Sequence, residues 1–410
     1  MIKEINESLY FAYPKIEEQW GFGIEQVSYA SAASGEMLQI WNVATPDNYI
    51  GGYIRRSNDN GRTWGVSSLL HAQKPVPGAE APEIRRLLGL AGDANISGYH
   101  QSFGNQMLFC DLDHDLLILV YYGQYSDFAG EIIQNGQLFY RLSCDHGLSW
   151  DAPRQIIQSG ESYDERHWAK DVALGKVAGI VAGMQHMEKT ADGTLLVPFQ
   201  IAKDKGREIP FRQGVFLGRW RDDLSAIDWD MGEYVSVPRE LSSRGVLAGS
   251  VAVLRDGRIL LVMRSDSAAT GLEGEVKLAS VSADGGRSWS EAKPVTYANG
   301  ETMWSSSSNL RLIRAEADGE LYLVTHIREK PLQKAPRNPL AIARIDEETL
   351  TVDGDSVYII KAPTPLDMEG AYYESRGIYN DRESGLLVMF VGNGNLSGVA
   401  QVLRFEVDFH

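Results

Sequence analysis

Cysteine is nearly missing from this chain, with Cys110 and Cys144 the only two among 410 residues. Two thiols cannot build a disulfide framework or a cysteine zinc site, which fits a reducing compartment. Long apolar runs are scarce as well. The longest covers about residues 116–122, the length of a buried strand, against roughly 18 for a bilayer crossing. Residues 1–20 hold no apolar signal core and no small-residue cleavage site, so a soluble, cytoplasmic protein is the expectation. Positive charge is in deficit: 39 Lys+Arg face 55 Asp+Glu, a net charge of −16, and no basic block breaks the surplus. Neither nucleic acid nor an anionic membrane is therefore an expected partner, since both need clustered Lys and Arg. The eight histidines form no close ligand pair, and no Asp-rich calcium loop occurs. Gly-x-Gly at Gly21 and Gly23, and at Gly392 and Gly394, lacks the strand-to-helix setting of a dinucleotide site. No metal or organic cofactor is expected, and no pattern fixes an oligomeric state.

Long helical patterns are absent too, and what fills the chain is strand and turn. Glycine is abundant at 41 residues, and β-branched and aromatic residues cluster in short runs between turn signals. A polar or Gly turn followed by four to six apolar residues recurs six times. It is centred on positions 35, 114, 193, 257, 319 and 385, at intervals of 79, 79, 64, 62 and 66 residues. Asp192-Gly193, Asp256-Gly257 and Asp318-Gly319 are strong hairpin signals in this setting. Repeats of this size with several short strands each imply a radial β architecture.

A sharper pattern lies downstream of three of these hairpins. Ser57-Asn58-Asp59-Asn60-Gly61-Arg62-Thr63-Trp64, Ser143-Cys144-Asp145-His146-Gly147-Leu148-Ser149-Trp150 and Ser282-Ala283-Asp284-Gly285-Gly286-Arg287-Ser288-Trp289 all read Ser-x-Asp-x-Gly-x-x-Trp. Asp accepts hydrogen bonds from its own turn, Gly supplies a positive φ and Trp folds back as an apolar plug. A degraded fourth copy is expected from Arg221 to Trp229. These octets resemble the Asp boxes of the sialidase (neuraminidase) superfamily, and the resemblance extends over essentially the whole chain. It implies an all-β, six-bladed propeller formed as one domain over residues 1–410, with N- and C-terminal strands sharing a blade. It also implies that the boxes lie on the face away from the active site.

In a propeller the residues eight to fifteen before each hairpin turn are placed to line a shared central pocket. The sialidase pattern asks there for three arginines on a carboxylate, a Tyr nucleophile activated by a Glu, and an Asp acid/base. Arg264 stands where the second arginine is expected and Arg337 resembles the third, while Tyr373 lies near the nucleophile and Asp47 near the acid/base. Two positions depart from the pattern. Glu25 occupies the place of the first arginine, and Ala248 that of the activating glutamate. Arg376 is a replacement for the missing positive charge, and Glu374 or Glu25 for the missing carboxylate. Gln185, His186, Trp304 and Trp168 complete the substrate-binding candidates, Trp168 as a platform at the channel rim.

The resemblance thus implies an exo-glycosidase hydrolysing an acidic sugar, sialic or uronic, held by an arginine cluster. His100, in Gly98-Tyr99-His100-Gln101, opens another reading, that of a polysaccharide lyase using a His, Tyr and Arg on a uronate. A glycan-binding propeller without catalysis is a third.

Overall fold

Runs such as residues 195–202 and 259–263 are rich in Leu, Val, Ile and Phe and too short for helices, so they pair as strands buried on both faces. The computed structural model describes residues 2–14, 21–33, 35–45, 48–127, 136–175, 178–180, 186–203, 207–267, 271–368, 370–393 and 399–409. Their strands form six antiparallel sheets of four or five strands, the blades of a propeller. Among the described residues one short α-helix, Ala81–Leu88, is inserted within blade two, between Lys74–Pro75 and Tyr99–Asp111.

Blade one is built from Gly21–Tyr29, Met37–Thr45, Asn48–Ser57 and Ser68–Ala72. Blade two begins with Lys74–Pro75 and Tyr99–Asp111, and blade three has Leu195–Lys203 and Ile209–Trp220 at its centre. Blade four holds Leu247–Val253, Ile259–Arg264 and Glu275–Ser282. Blade five holds Arg311–Arg314, Leu321–His326, Leu340–Ile345 and Tyr358–Lys361. In blade six, Glu374–Asn380, Leu387–Asn393 and Val399–Asp408 are joined by the N-terminal strand Glu4–Pro14, which pairs with Val399–Asp408. Fully buried side chains such as Leu195, Phe199, Phe216, Leu261 and Met389 fill the spaces between blades. Each such Leu or Phe contributes roughly 1.5–3 kcal/mol by leaving water.

The innermost strands run from one end of the channel to the hairpin turns at the other. Four of them break register midway, at Ile24/Gln26, Gly104/Met107, Leu247/Ser250 and Ser375/Ile378. A bulge adds one unpaired residue and re-aims its side chain. Glu25 is such a residue, and its Oε2 accepts a hydrogen bond from the backbone N–H of Gln106 at 3.1 Å, tying blade one to blade two.

All three Asp boxes fold alike at the hairpin end. In the second, Ser143 Oγ donates to Asp145 Oδ1 at 2.7 Å and accepts from Gly147 N at 2.9 Å, while Ser149 N donates to Asp145 at 2.8 Å. Gly147 has φ 83°, the left-handed turn that makes glycine the fitting residue there. Asp59, Asp145 and Asp284 are each held down to about 2, chiefly by the hydroxyl of Thr63, Ser149 and Ser288 respectively. In the degraded copy Asp223 accepts from Ser225, and Trp229 is buried in the outermost strand of blade three. Closure between blades six and one rests on a polar clasp. Tyr29 Oη and Asn60 Nδ2 donate to Asn60 Oδ1 and Asp381 Oδ1 respectively, both at 2.8 Å, and Arg382 N donates to Tyr29 Oη at 2.8 Å.

Candidate active site

At the channel end opposite the Asp boxes, five consecutive residues meet four charged side chains of blades four and six, Arg264, Glu275, Lys277 and Glu374. Ser305 to Asn309 carry small polar side chains where the neighbouring strands carry apolar ones, so the segment offers hydroxyls and backbone groups instead of packing. Ser307 N donates to Glu275 Oε2, and Ser307 Oγ accepts from Arg264 Nε at 2.8 Å. Lys277 Nζ donates to Ser306 O at 2.8 Å, Ser308 O at 2.7 Å and Ser308 Oγ at 3.2 Å, which occupies all three ammonium hydrogens. Asn309 Nδ2 donates to Glu374 Oε2 at 3.2 Å, and the other Glu374 oxygen pairs with Arg337.

Strand register explains the convergence. Arg264 ends the second strand of blade four and lies opposite Lys277 on the third, and Glu275 sits two residues earlier on the same face. Glu374 opens the inner strand of blade six, and Arg337 reaches it from the loop before Leu340–Ile345, where Asn338-Pro339 is cis. Behind these groups His326 is buried with Nδ1 2.7 Å from Ser308 Oγ and Nε2 2.7 Å from the carbonyl of Tyr373. A carbonyl can only accept, so Nε2 carries the hydrogen and Nδ1 accepts from Ser308.

Burial sets the electrostatics. It lowers Arg264 to about 10, with the Arg337 charge adding to the effect, and it drives Lys277 well below its ordinary value. Glu275 is raised by burial against the opposing hydrogen bond from Ser307 N. His326 falls to about 4, by burial first and then by the Lys277 charge. Among the described residues the two terminal nitrogens of Arg264 make no hydrogen bond, although its Nε is held by Ser307. A fork prepared for two acceptors is thus free at the channel end.

Of the residues singled out from the sequence, the structure brings Arg264, Arg337 and Glu374 together and puts Trp304, partly exposed, at the start of the serine segment. Arg376 lies at the blade six bulge, but its side chain is outside the described residues, as are Asp47 and Gln185 altogether. The others stand elsewhere. Tyr373 must be corrected as a nucleophile: it is fully buried between blades five and six, and its hydroxyl donates to Ala362 O at 3.4 Å, away from Arg264. Burial and the hydrogen bond with Asp367 push that phenol up, the wrong direction for an attacking oxygen. Trp168 is also corrected from the rim to the core. It is fully buried against Phe199 and Phe216 with its Nε1 bonded to Gly136 O at 3.1 Å.

His100 is buried on blade two, opposite blade five in the ring, where Lys74–Pro75 pairs alongside it. Burial lowers its pKa, and it stands apart from the Arg264, Arg337 and Glu374 group on blades four to six. Glu25 and His186 are buried and serve as links between blades. His186 Nε2 donates to Val251 O at 2.9 Å, and Glu25 takes the Gln106 bond described above. Sequence reasoning missed Glu275 and Lys277. The available signal was a pair of opposite charges two apart at the start of Glu275–Ser282, a strand whose other residues are apolar or serine. Among the described residues no three His, Cys, Asp or Glu side chains gather as a metal site, and no helix is long and apolar enough to cross a membrane.

A six-bladed ring with Asp boxes at one end and an arginine–carboxylate cluster at the other defines a sialidase-like propeller. The family model described as BNR repeat-like domain matches residues 89–355, and the chain belongs to that family. No curated protein matches it. Among solved structures it is similar to the leech intramolecular trans-sialidase in complex with 2,7-anhydro-Neu5Ac, at 13% identity and a TM-score of 0.61, covering 98% of this chain and 70% of that one. It is similar also to Trypanosoma rangeli sialidase in complex with the inhibitor DANA, at 12% identity and a TM-score of 0.58, covering 99% of this chain and 60% of the other. A protein of unknown function from Dyadobacter fermentans matches at 14% identity and a TM-score of 0.59, over 98% of this chain and 99% of its own. At these identities the likeness describes the fold.

Proposed function

We propose that the protein is a glycoside hydrolase acting on an acidic sugar, sialic or uronic, at the end of the channel on blades four to six. The observation that carries this reading is the open fork of Arg264. A mostly buried guanidinium with its Nε fixed and both terminal nitrogens unbonded among the described residues suits bidentate capture of a sugar carboxylate. Glu374, fixed by Arg337 and Asn309 beside it, is assigned as the catalytic carboxylate in place of Tyr373. Arg337 then orients Glu374 and adds positive charge near the ligand. Glu275 acts through Ser307 as a positioning residue, and the Lys277 ammonium fixes the segment's backbone. The serine segment holds these groups in place before substrate arrives, which reduces the ordering that binding must otherwise accomplish.

Fluorogenic sialosides, glucuronides and galacturonides test the assignment by release of the fluorophore. Hydrolysis of one class is expected. Glu374→Gln should lower kcat roughly 10²–10⁴-fold, and Arg264→Ala should raise KM about tenfold or more through loss of a bidentate contact. Ultraviolet absorbance from an unsaturated product would replace hydrolysis by elimination. Binding of an acidic glycan without turnover, lost in Arg264→Ala, would leave a glycan-binding propeller.

A further inference from the structure

On the flank of the ring, where blade six meets blade one, a groove of about 530 Å³ is lined by Tyr10, Gln39, Trp41, Arg55, Trp64 and Ser67 among others. None of these belongs to the cluster around Ser305 to Asn309. Trp41 stacks on Tyr53, with centroids 4.5 Å apart and planes within 16°, and its Nε1 donates to Ser67 Oγ at 3.2 Å. Arg55 lies between two further rings, 5.9 Å from the Tyr10 centroid and 5.3 Å from that of Trp64. Its Nε donates to Gln39 Oε1 at 2.8 Å and its Nη2 to Tyr10 Oη at 2.9 Å, both neutral acceptors.

Two features of Arg55 point to a ligand. Among the described residues no carboxylate lies within 4.0 Å of it, and its Nη1 makes no hydrogen bond. In a chain with 55 acidic residues against 39 basic ones, a half-buried arginine held between aromatic rings with no counter-ion among the described residues marks a place where negative charge is left to arrive from outside. Aromatic faces beside hydroxyl and amide groups suit a sugar ring, whose C–H faces are apolar and whose edges hydrogen-bond. The open guanidinium nitrogen suits a carboxylate on that ring.

We propose that this groove is a second binding site for an acidic sugar, with the ring against Trp41 and Trp64 and the carboxylate on Arg55. It requires nothing of the catalytic assignment, and it stands or falls separately from it. Saturation-transfer NMR with methyl β-glucuronide as the probe tests it in the Arg264→Ala protein, where the central site is silenced. Binding should persist there and weaken about tenfold on adding Arg55→Gln, whereas Arg55→Lys, which keeps the charge, should retain more of it. Ser67→Asp, which places a carboxylate inside the groove, should compete with the ligand and also weaken binding. Methyl β-glucoside and benzoate should bind less well than the glucuronide, because each lacks one half of the recognition. The proposal is overturned if Arg264→Ala alone abolishes the signal or if either control binds as well as the glucuronide. It is equally overturned if Arg55→Gln binds unchanged. Should Arg55→Gln lower the melting temperature, Ser67→Asp decides, and unchanged binding in that variant overturns the proposal.

Discussion

His326 shows how a single buried residue gives the site a pH dependence. Its ring is enclosed between Ser308 and the Tyr373 carbonyl, and burial holds it near 4, against an ordinary 6.5. The Lys277 cation nearby acts in the same direction, while Glu374 opposes it. Between those two values the unfolded chain binds the proton and the folded protein does not, so stability rises with pH through this window. The stabilisation is complete above about 6.5 and is lost as pH falls toward 4, by up to about 3 kcal/mol for a shift of this size. His326→Gln keeps an amide that can donate to the carbonyl but has nothing to protonate. Urea unfolding followed from neutral pH down to about 4 should therefore show a steeper loss in the wild type than in His326→Gln. Parallel curves would mean that other groups carry the acid sensitivity, among them His71, which burial also holds at about 4.

The Asp box is the element in which sequence and structure agree in most detail, because its interactions are local. Each Asp binds a hydroxyl and a backbone N–H four residues on, so Asp145 stabilises its turn only while ionised. A carboxyl held at about 2, below its ordinary 3.8, gives stability that is present above about 4 and is lost as pH falls through 2. Asp145→Asn should lower the melting temperature at neutral pH, and the difference from wild type should shrink across that interval. A constant difference would assign the effect to shape instead of charge. The same locality explains what could be read from the sequence. Six hairpins and three boxes give the number of blades and their order, since turns and strand pairs are short-range, while the end at which the boxes lie is what the resemblance implied. Arg264 and Glu374 were within reach because they sit at strand ends a countable distance from those turns, and Arg337 because Pro336-Arg337-Asn338 resembles the family's third arginine. Tyr373 and Trp168 were misplaced because spacing locates a Cα without giving the side chain's direction, and burial of each depends on neighbours from another blade. Glu275 and Lys277 were missed for the complementary reason: charges in a largely buried strand make sense only once Arg264 and the serine segment are seen to meet them.

At the scale of the whole ring, stability depends on how the ends meet. Glu4–Pro14 pairs with Val399–Asp408 from Glu4↔Asp408 to Pro14↔Val399, with one irregularity near Leu9 and Phe11. Without that strand, the backbone of Val399–Asp408 becomes an unpaired edge, and exposed edges recruit other chains. The apolar cost adds to this, because Ile2 and Tyr10 pack onto the clusters of blades six and one. The clasp of Tyr29, Asn60, Asp381 and Arg382 crosses the same seam at the hairpin end, independently of the strand. Deleting residues 2–14 should therefore leave the ring formed but weakened, with a lower melting temperature and self-association by size-exclusion chromatography. Adding Asn60→Gly, which keeps the positive φ of 58° available while removing the amide, should cost a further ~1–3 kcal/mol for the partners it leaves unsatisfied. A synthetic peptide of residues 2–14 supplied in trans should restore the melting temperature and the monodisperse profile of the truncated protein, because the vacated edge has the register to receive it. If the truncated protein melts like the full chain, closure rests on the clasp and the blade cores, and the terminal strand is a cover for the edge instead of a fastening of the ring.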